Sequence, residues 1–370
     1  MTPGLLARLS LRIRARPPAN TLRVASRHRR ARTALAASLL ATISLNAAAM
    51  LVLDDIRPGV RDPEYGRRIR QLRERLAENP GRPVVLVLGS SRSAMGVSPA
   101  AWEETCPPGS PMIFNLSVLG GGPVMELLVA RRAFGDGVRP AVVLFEYWPP
   151  YFYSEGNWAE HRRILVDRLS PIDRPIVQSH FPDPARTESR MRGYRWNPIW
   201  ESRERLLLQV FPKWLRNDRR IDWMWDGVDG WGWKPGFDYP PGNTPERARM
   251  LAACGEVYRP LFADYRIAAS ADRAFREAVA VARANGAAVG LLYLPESSEF
   301  RAWYTPEAER LAREHLSGIS RDLALPVINA REWMDDGLLV DGFHLSRLGA
   351  AEFSRKLGPA IVAAIPEAKR

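Results

Sequence analysis

Residues 83–93 read PVVLVLGSSRS. The first seven form an apolar run rich in Val and bounded by Pro and Gly. That is the pattern of a strand buried on both faces of a parallel sheet. Gly89-Ser90-Ser91-Arg92 then reads as a tight turn into a helix. A serine on such a turn can present its hydroxyl and its own N–H at the sheet edge, where a helix N-terminus favours an oxyanion. Taken alone, Ser90-Ser91 reads first as a plain helix N-cap. No Gly-Lys-Ser/Thr follows, so the turn is not a phosphate-binding P-loop.

Working outward, four more short apolar runs predict strands at 111–117, 140–148, 287–295 and 325–330. Helical periodicity falls at 123–134, 270–286, 305–323 and 346–365, with Thr305 and Pro306 placed to start the third of these. This alternation predicts an α/β fold with a parallel sheet of about five strands between helices. Right-handed crossovers put every strand's C-terminal end on one edge, where ligands bind. Ser91, Glu146, Glu296 and the loop holding Asp341 and His344 all meet that rim. Residues 65–78 read as a charged, exposed helix ahead of the first strand.

An insert at about 150–265 breaks the pattern and holds eight of the twelve tryptophans: Trp158, Trp196, Trp200, Trp214, Trp223, Trp225, Trp231 and Trp233. Large aromatics can build a small core, stack on sugar rings or sit at a membrane interface. The first reading suits an irregular insert best.

The net charge of +12 suggests nucleic acid until its distribution is seen. Nine arginines and no acid lie in residues 1–32, leaving about +3 for the remainder. No nucleic-acid partner is expected. Residues 33–53 then carry no formal charge over 21 positions, enough to cross a bilayer as a helix. The arginines belong on the cytoplasmic side. The reading is a basic tail (1–32), an uncleaved signal anchor (33–53), a juxtamembrane helix and linker (54–82), and an extracytoplasmic, periplasmic domain (83–370). The apolar run is longer than a usual cleaved signal's. Cys106 and Cys254 either pair or stay separate. No CxxC and no metal-ligand spacing occurs, so no metal or other cofactor is expected.

Asp341-Gly342-Phe343-His344 alters the weight of Ser91. A serine is a weak nucleophile without a base. A histidine base needs its second ring nitrogen held, and an aspartate three residues back in a turn can hold it. Ser346 already stands where the following helix needs a cap. His161, His180 and His315 show no such arrangement and read as structural or exposed.

With these blocks in view the chain resembles the SGNH (GDSL-type) hydrolase superfamily, and within it the membrane-anchored branch with a GSSR turn. That branch is similar to proteins that O-acetylate exopolysaccharides or D-alanylate teichoic acids. The resemblance covers about 83–148 and 286–358. It implies a flavodoxin-like sheet, Ser91 as nucleophile, and a Ser91–His344–Asp341 triad. It also implies an oxyanion hole from the Ser91 and Gly120 N–H groups, with Asn115 and Gly120 in the FNLSVLGG block. The family's third block supplies an asparagine that is missing here. Glu146, Tyr147 or Trp148 stands in that place, as in the acyl-transfer branch. Arg92, Asn115, Glu146 and Trp148 are candidate substrate or support residues, and Arg92 either binds an anion or pairs with Glu146.

The expected function is acyl transfer to a cell-envelope or exported polysaccharide. The acyl group would be handed over by a multi-span membrane acyltransferase. The alternatives are an esterase or deacetylase acting on acyl esters, and an inactive envelope scaffold.

Overall fold

The computed structural model describes residues 19–56, 58–153, 160, 164, 166–238 and 242–369. Most of the basic tail, with Arg8, Arg12, Arg14 and Arg16, lies outside them, as do Trp158 and His161. The elements used below are α1 (Ala19–Leu51), α2 (Pro63–Glu78), β1 (Val84–Leu88), α3 (Ser91–Gly96), β2 (Met112–Asn115), α4 (Pro123–Gly135) and β3 (Val142–Glu146). The insert contributes α5 (Pro184–Trp196), α6 (Pro198–Val210) and α7 (Pro245–Ala263). The chain closes with α8 (Ala269–Ala284), β4 (Ala288–Tyr293), α9 (Pro306–Asp322), β5 (Val327–Asn329) and α10 (Arg347–Ala364).

All five strands are parallel, in the order β2-β1-β3-β4-β5. This is the flavodoxin-like order, whose connections reverse direction between β1 and β3 and open a crevice at the strands' C-terminal ends. Because side chains alternate along a strand, β1 feeds two cores. Val84, Leu86 and Leu88 pack with α2, α4, α8 and α9. Val85 and Val87 pack with α10 and Trp102. Every position of β1, β2 and β3 is therefore buried, which is why their apolar runs show no alternation with polar residues.

Helix α2 differs from its sequence reading. Tyr65, Ile69 and Leu72 form a stripe at helical spacing that is buried against the first core, and Arg68 is fully enclosed. Charge on its outer face hid that stripe. The helix is a packed layer of the α/β unit rather than an exposed lead-in.

Helix α1 carries the apolar run. Residues Arg27–Asp54 make one helical stretch long and apolar enough to cross a membrane, with its apolar window unburied by protein. Arg61 pairs with Asp54 where this stretch meets the packed domain.

Candidate active site

The rim builds the site from both ends of the chain. Ser91 opens α3 directly after β1. Ser90 takes the N-cap place, its hydroxyl accepting from the Arg92 N–H at 3.1 Å. The cap reading and the nucleophile reading thus fall on different serines. Ser91 Oγ lies 2.8 Å from His344 Nε2, and His344 Nδ1 lies 2.7 Å from Asp341 Oδ2. A carboxylate only accepts, so Nδ1 carries the proton and Nε2 is left to accept the Ser91 hydroxyl.

The turn holding Asp341 is organised for this task. Its Oδ1 accepts the backbone N–H groups of His344 (2.8 Å) and Phe343 (3.2 Å). Gly342 has φ +98°, which a side chain would strain, and this brings Asp341 and His344 onto one side. Ser346 caps α10 through the Gly349 N–H, so Asp341 is not needed as a cap. Burial pushes the Asp341 carboxyl up, but the His344 ring and the two backbone N–H groups outweigh it. The acid is held below its ordinary value and stays charged.

Of the two N–H groups expected to face an oxyanion, that of Ser91 starts α3 and that of Gly120 lies on the loop after β2. Val118 N–H donates to the Gly89 carbonyl at 3.0 Å, seating residues 118–121 against the nucleophile turn. Among the described residues the N–H groups of Ser91 and Gly120 donate to no other group.

The four expected support residues all turn inward. Glu146, buried at the end of β3, accepts from Ser90 N–H (2.8 Å), Ser90 Oγ (3.0 Å) and Ser93 Oγ (2.6 Å). It pins the turn from below. A Cβ on Gly89 would stand 2.4 Å from that carboxylate, so only glycine fits there. Arg92 is enclosed and donates to the carbonyls of Leu294 (2.9 Å) and Pro295 (3.0 Å), with Glu146 at 3.5 Å. Its guanidinium lies over Trp148 and its Nε reaches the Phe343 carbonyl at 3.4 Å. It ties the nucleophile helix to β3, β4 and the His344 loop, so the pairing with Glu146 holds and its polar edge faces protein groups. Asn115 donates to the carbonyls of Ser93 (2.8 Å) and Val97 (2.7 Å) and is fully buried. Trp148 donates to Glu296 at 3.0 Å and stacks on Phe343.

Glu296, placed at the rim by the sequence, is fully buried. It accepts from Trp148, Tyr304 (3.1 Å) and Arg331 (2.6 Å). His180 and His315 also have acidic partners that their sequence surroundings did not show: Glu277 at 2.7 Å and Asp272 at 3.1 Å. Cys106 and Cys254 are free thiols.

The insert supplies site residues that sequence reasoning missed. Helix α7 lies over the His344 loop, with Leu251 against Gly342 and the Tyr258 ring 5.2 Å from Phe343. Burial first, then the Asp341 charge, pushes the Cys254 thiol up to about 12, so it stays neutral beside the triad. The Trp-rich stretch braces α3. Trp231 C=O accepts from Asn115 N–H at 3.0 Å, and Trp233 Nε1 donates to the Met95 carbonyl at 2.7 Å. Trp225 is buried, whereas Trp196, Trp200, Trp214 and Trp223 are exposed. The core reading thus holds for part of the cluster only. Ser93 could have been found from its i, i+3 spacing to Ser90. Nothing in the local pattern of α7 marks its placement over the rim.

Comparison with protein-family models and with curated proteins finds no match to this chain. The site is therefore read from its geometry.

Proposed function

We propose that the chain is a membrane-anchored serine acyl-transfer enzyme of the SGNH type, with its catalytic rim outside the cytoplasm. The observation that carries this reading is the continuous hydrogen-bonded line Ser91 Oγ–His344 Nε2, His344 Nδ1–Asp341 Oδ2, in which Ser91 and His344 are 253 positions apart. The chemistry follows. As Ser91 Oγ attacks an acyl carbonyl, its proton passes to His344 Nε2, and Asp341 balances the imidazolium. The Ser91 and Gly120 N–H groups receive the oxyanion. His344 then gives the proton to the leaving oxygen, and the acyl group remains as a Ser91 ester. An acceptor hydroxyl reverses these steps, passing its proton to His344 while the acyl group moves to the acceptor and Ser91 is restored.

An envelope or exported polysaccharide is the proposed acceptor, with a multi-span membrane acyltransferase supplying the acyl group. Support comes from the sequence at the end of β3, FEYW, where the asparagine that a hydrolase of this type uses as a further oxyanion donor is missing. Glu146 occupies the end of β3 and faces the serine turn. The paired, buried support of the triad favours a working enzyme over a scaffold.

Incubation of the full chain with an acetylated donor, with and without a polysaccharide acceptor, tests this. Transfer to sugar with little acetate released to water is expected. Rapid acetate release without acceptor would make the enzyme an esterase. Neither transfer nor release, across a panel of acyl esters, would contradict catalysis.

A further inference from the structure

Helices α5 and α6 form a hairpin whose turn, Arg195-Trp196-Asn197-Pro198, packs beside the membrane helix rather than above it. Arg195 and Trp196 line a cleft with Thr42, Ile43, Asn46 and Met50 of α1, and α6 contacts α1 directly. That cleft runs along about the last three turns of the apolar run, about 18 Å of helix at 1.5 Å per residue. The run itself has 21 uncharged residues, or about 31 Å. A bilayer core is about 30 Å thick, so the helix has no spare turns with which to lift the hairpin clear of the lipid.

The hairpin's composition fits that position. Trp196 at the tip is 85% exposed and Trp200, one turn into α6, is 59% exposed; Val210, Phe211 and Trp214, at and beyond the far end of α6, are exposed as well. Tryptophan with one apolar and one polar edge concentrates at the lipid interface. From Arg174 to Arg220 there are eleven Lys and Arg against five Asp and Glu. Arg192 and Arg216 are largely exposed, each beside one acid (Glu188 at 3.6 Å and Asp218 at 3.2 Å), and long arginine side chains can reach headgroup phosphates.

The structure assigns the α5–α6 hairpin as a second membrane contact: its tip enters the outer leaflet beside α1, with its arginines at the level of anionic headgroups. The occupant is the bilayer that α1 crosses. This inference rests on α1 being a span and is independent of the chemistry at Ser91. Two contacts in place of one would hold the domain at a fixed tilt and height rather than letting it swing on a single helix.

Spin labels test it on the full chain in phosphatidylethanolamine–phosphatidylglycerol vesicles, with Cys106→Ser and Cys254→Ser removing the native thiols. Trp196→Cys reports the hairpin tip, Leu39→Cys the anchor, and Lys356→Cys on α10 the solvated side. The expected result is an oxygen-to-nickel-chelate accessibility ratio at 196 several-fold above that at 356 and approaching that at 39. A label at 196 as open to the chelate as 356, with 39 still in lipid, would overturn the hairpin contact, leave the anchor standing and hand those tryptophans to a protein partner. A label at 39 open to the chelate would overturn both.

Discussion

Among the described residues two histidines lie against an aspartate, and only one of them also meets a serine hydroxyl at the sheet rim. His344 places Asp341 on Nδ1 and the Ser91 hydroxyl on Nε2, at 2.7 and 2.8 Å. His315 has Asp272 on Nε2 and the Tyr147 hydroxyl on Nδ1, both at 3.1 Å. The difference lies in the hydroxyl. Ser91 sits at a helix start on the sheet rim, beside unused N–H donors. Tyr147 is buried between layers and donates its proton to the Ala312 carbonyl at 2.9 Å. A His–Asp pair is thus a poor sign of catalysis by itself. What matters is a third partner that is uncommitted and placed where a substrate can reach it.

The largest expected effect breaks the comparison outright if it fails. Ser91→Ala or His344→Ala should lower kcat by roughly 10⁴ to 10⁶, with little change in thermal stability. Turnover retained in either variant removes that residue from the mechanism. Asp341→Asn comes next, with a loss of roughly 10² to 10⁴ in kcat, because an amide facing Nδ1 favours the wrong tautomer. Steady-state rates on an acyl ester measure it.

His315→Asn is the matching change on the other side, and it should spare kcat. Its cost is stability, about 1–3 kcal/mol in denaturant unfolding, as Tyr147 and Asp272 lose a buried partner. Burial, only partly offset by Asp272, lowers the proton affinity of His315 below that of a free histidine. The unfolded chain therefore binds the extra proton more readily, and His315 makes the native state lose stability as pH falls below about 6.5. The variant should lack that part of the acid sensitivity. A hundredfold fall in kcat with unchanged stability would mean that the two histidines are not different in kind.

The smallest effect sharpens the boundary of the site. Glu160 is buried against Gly122, and burial raises its carboxyl to about 7 despite the backbone N–H groups that it accepts. The native state then holds a proton that the unfolded state releases above about pH 4.5, so stability falls as pH rises from there to about 7. Glu160→Gln should gain about 1–2 kcal/mol at pH 8 and little at pH 5. Unfolding curves at the two values check it, and a gain at pH 5 of equal size would contradict the account.

What was legible in the sequence follows from how local each feature is. The strands of the sheet are short, apolar on both faces and separated by helical periods, so the parallel sheet and its rim could be read, while the strand order came from the structure. Asp341 and His344 are three residues apart and carry their geometry with them. Ser91 needed the fold to be brought to His344. Helix α2 was misread because its arginines outnumber the three apolar positions of its buried stripe. The burial of Glu296 was not legible because its partners, Trp148, Tyr304 and Arg331, come from separate elements. The insert was least legible. Its helices pack by contacts with α1, α3 and the His344 loop, none of which is encoded within the insert.

The most direct test of the central claim is intact-mass and peptide mapping after reaction with a fluorophosphonate. The account predicts a single adduct on Ser91, formed by the folded wild-type chain and lost in His344→Ala. An adduct on another residue, or none on a folded wild-type chain, would contradict it.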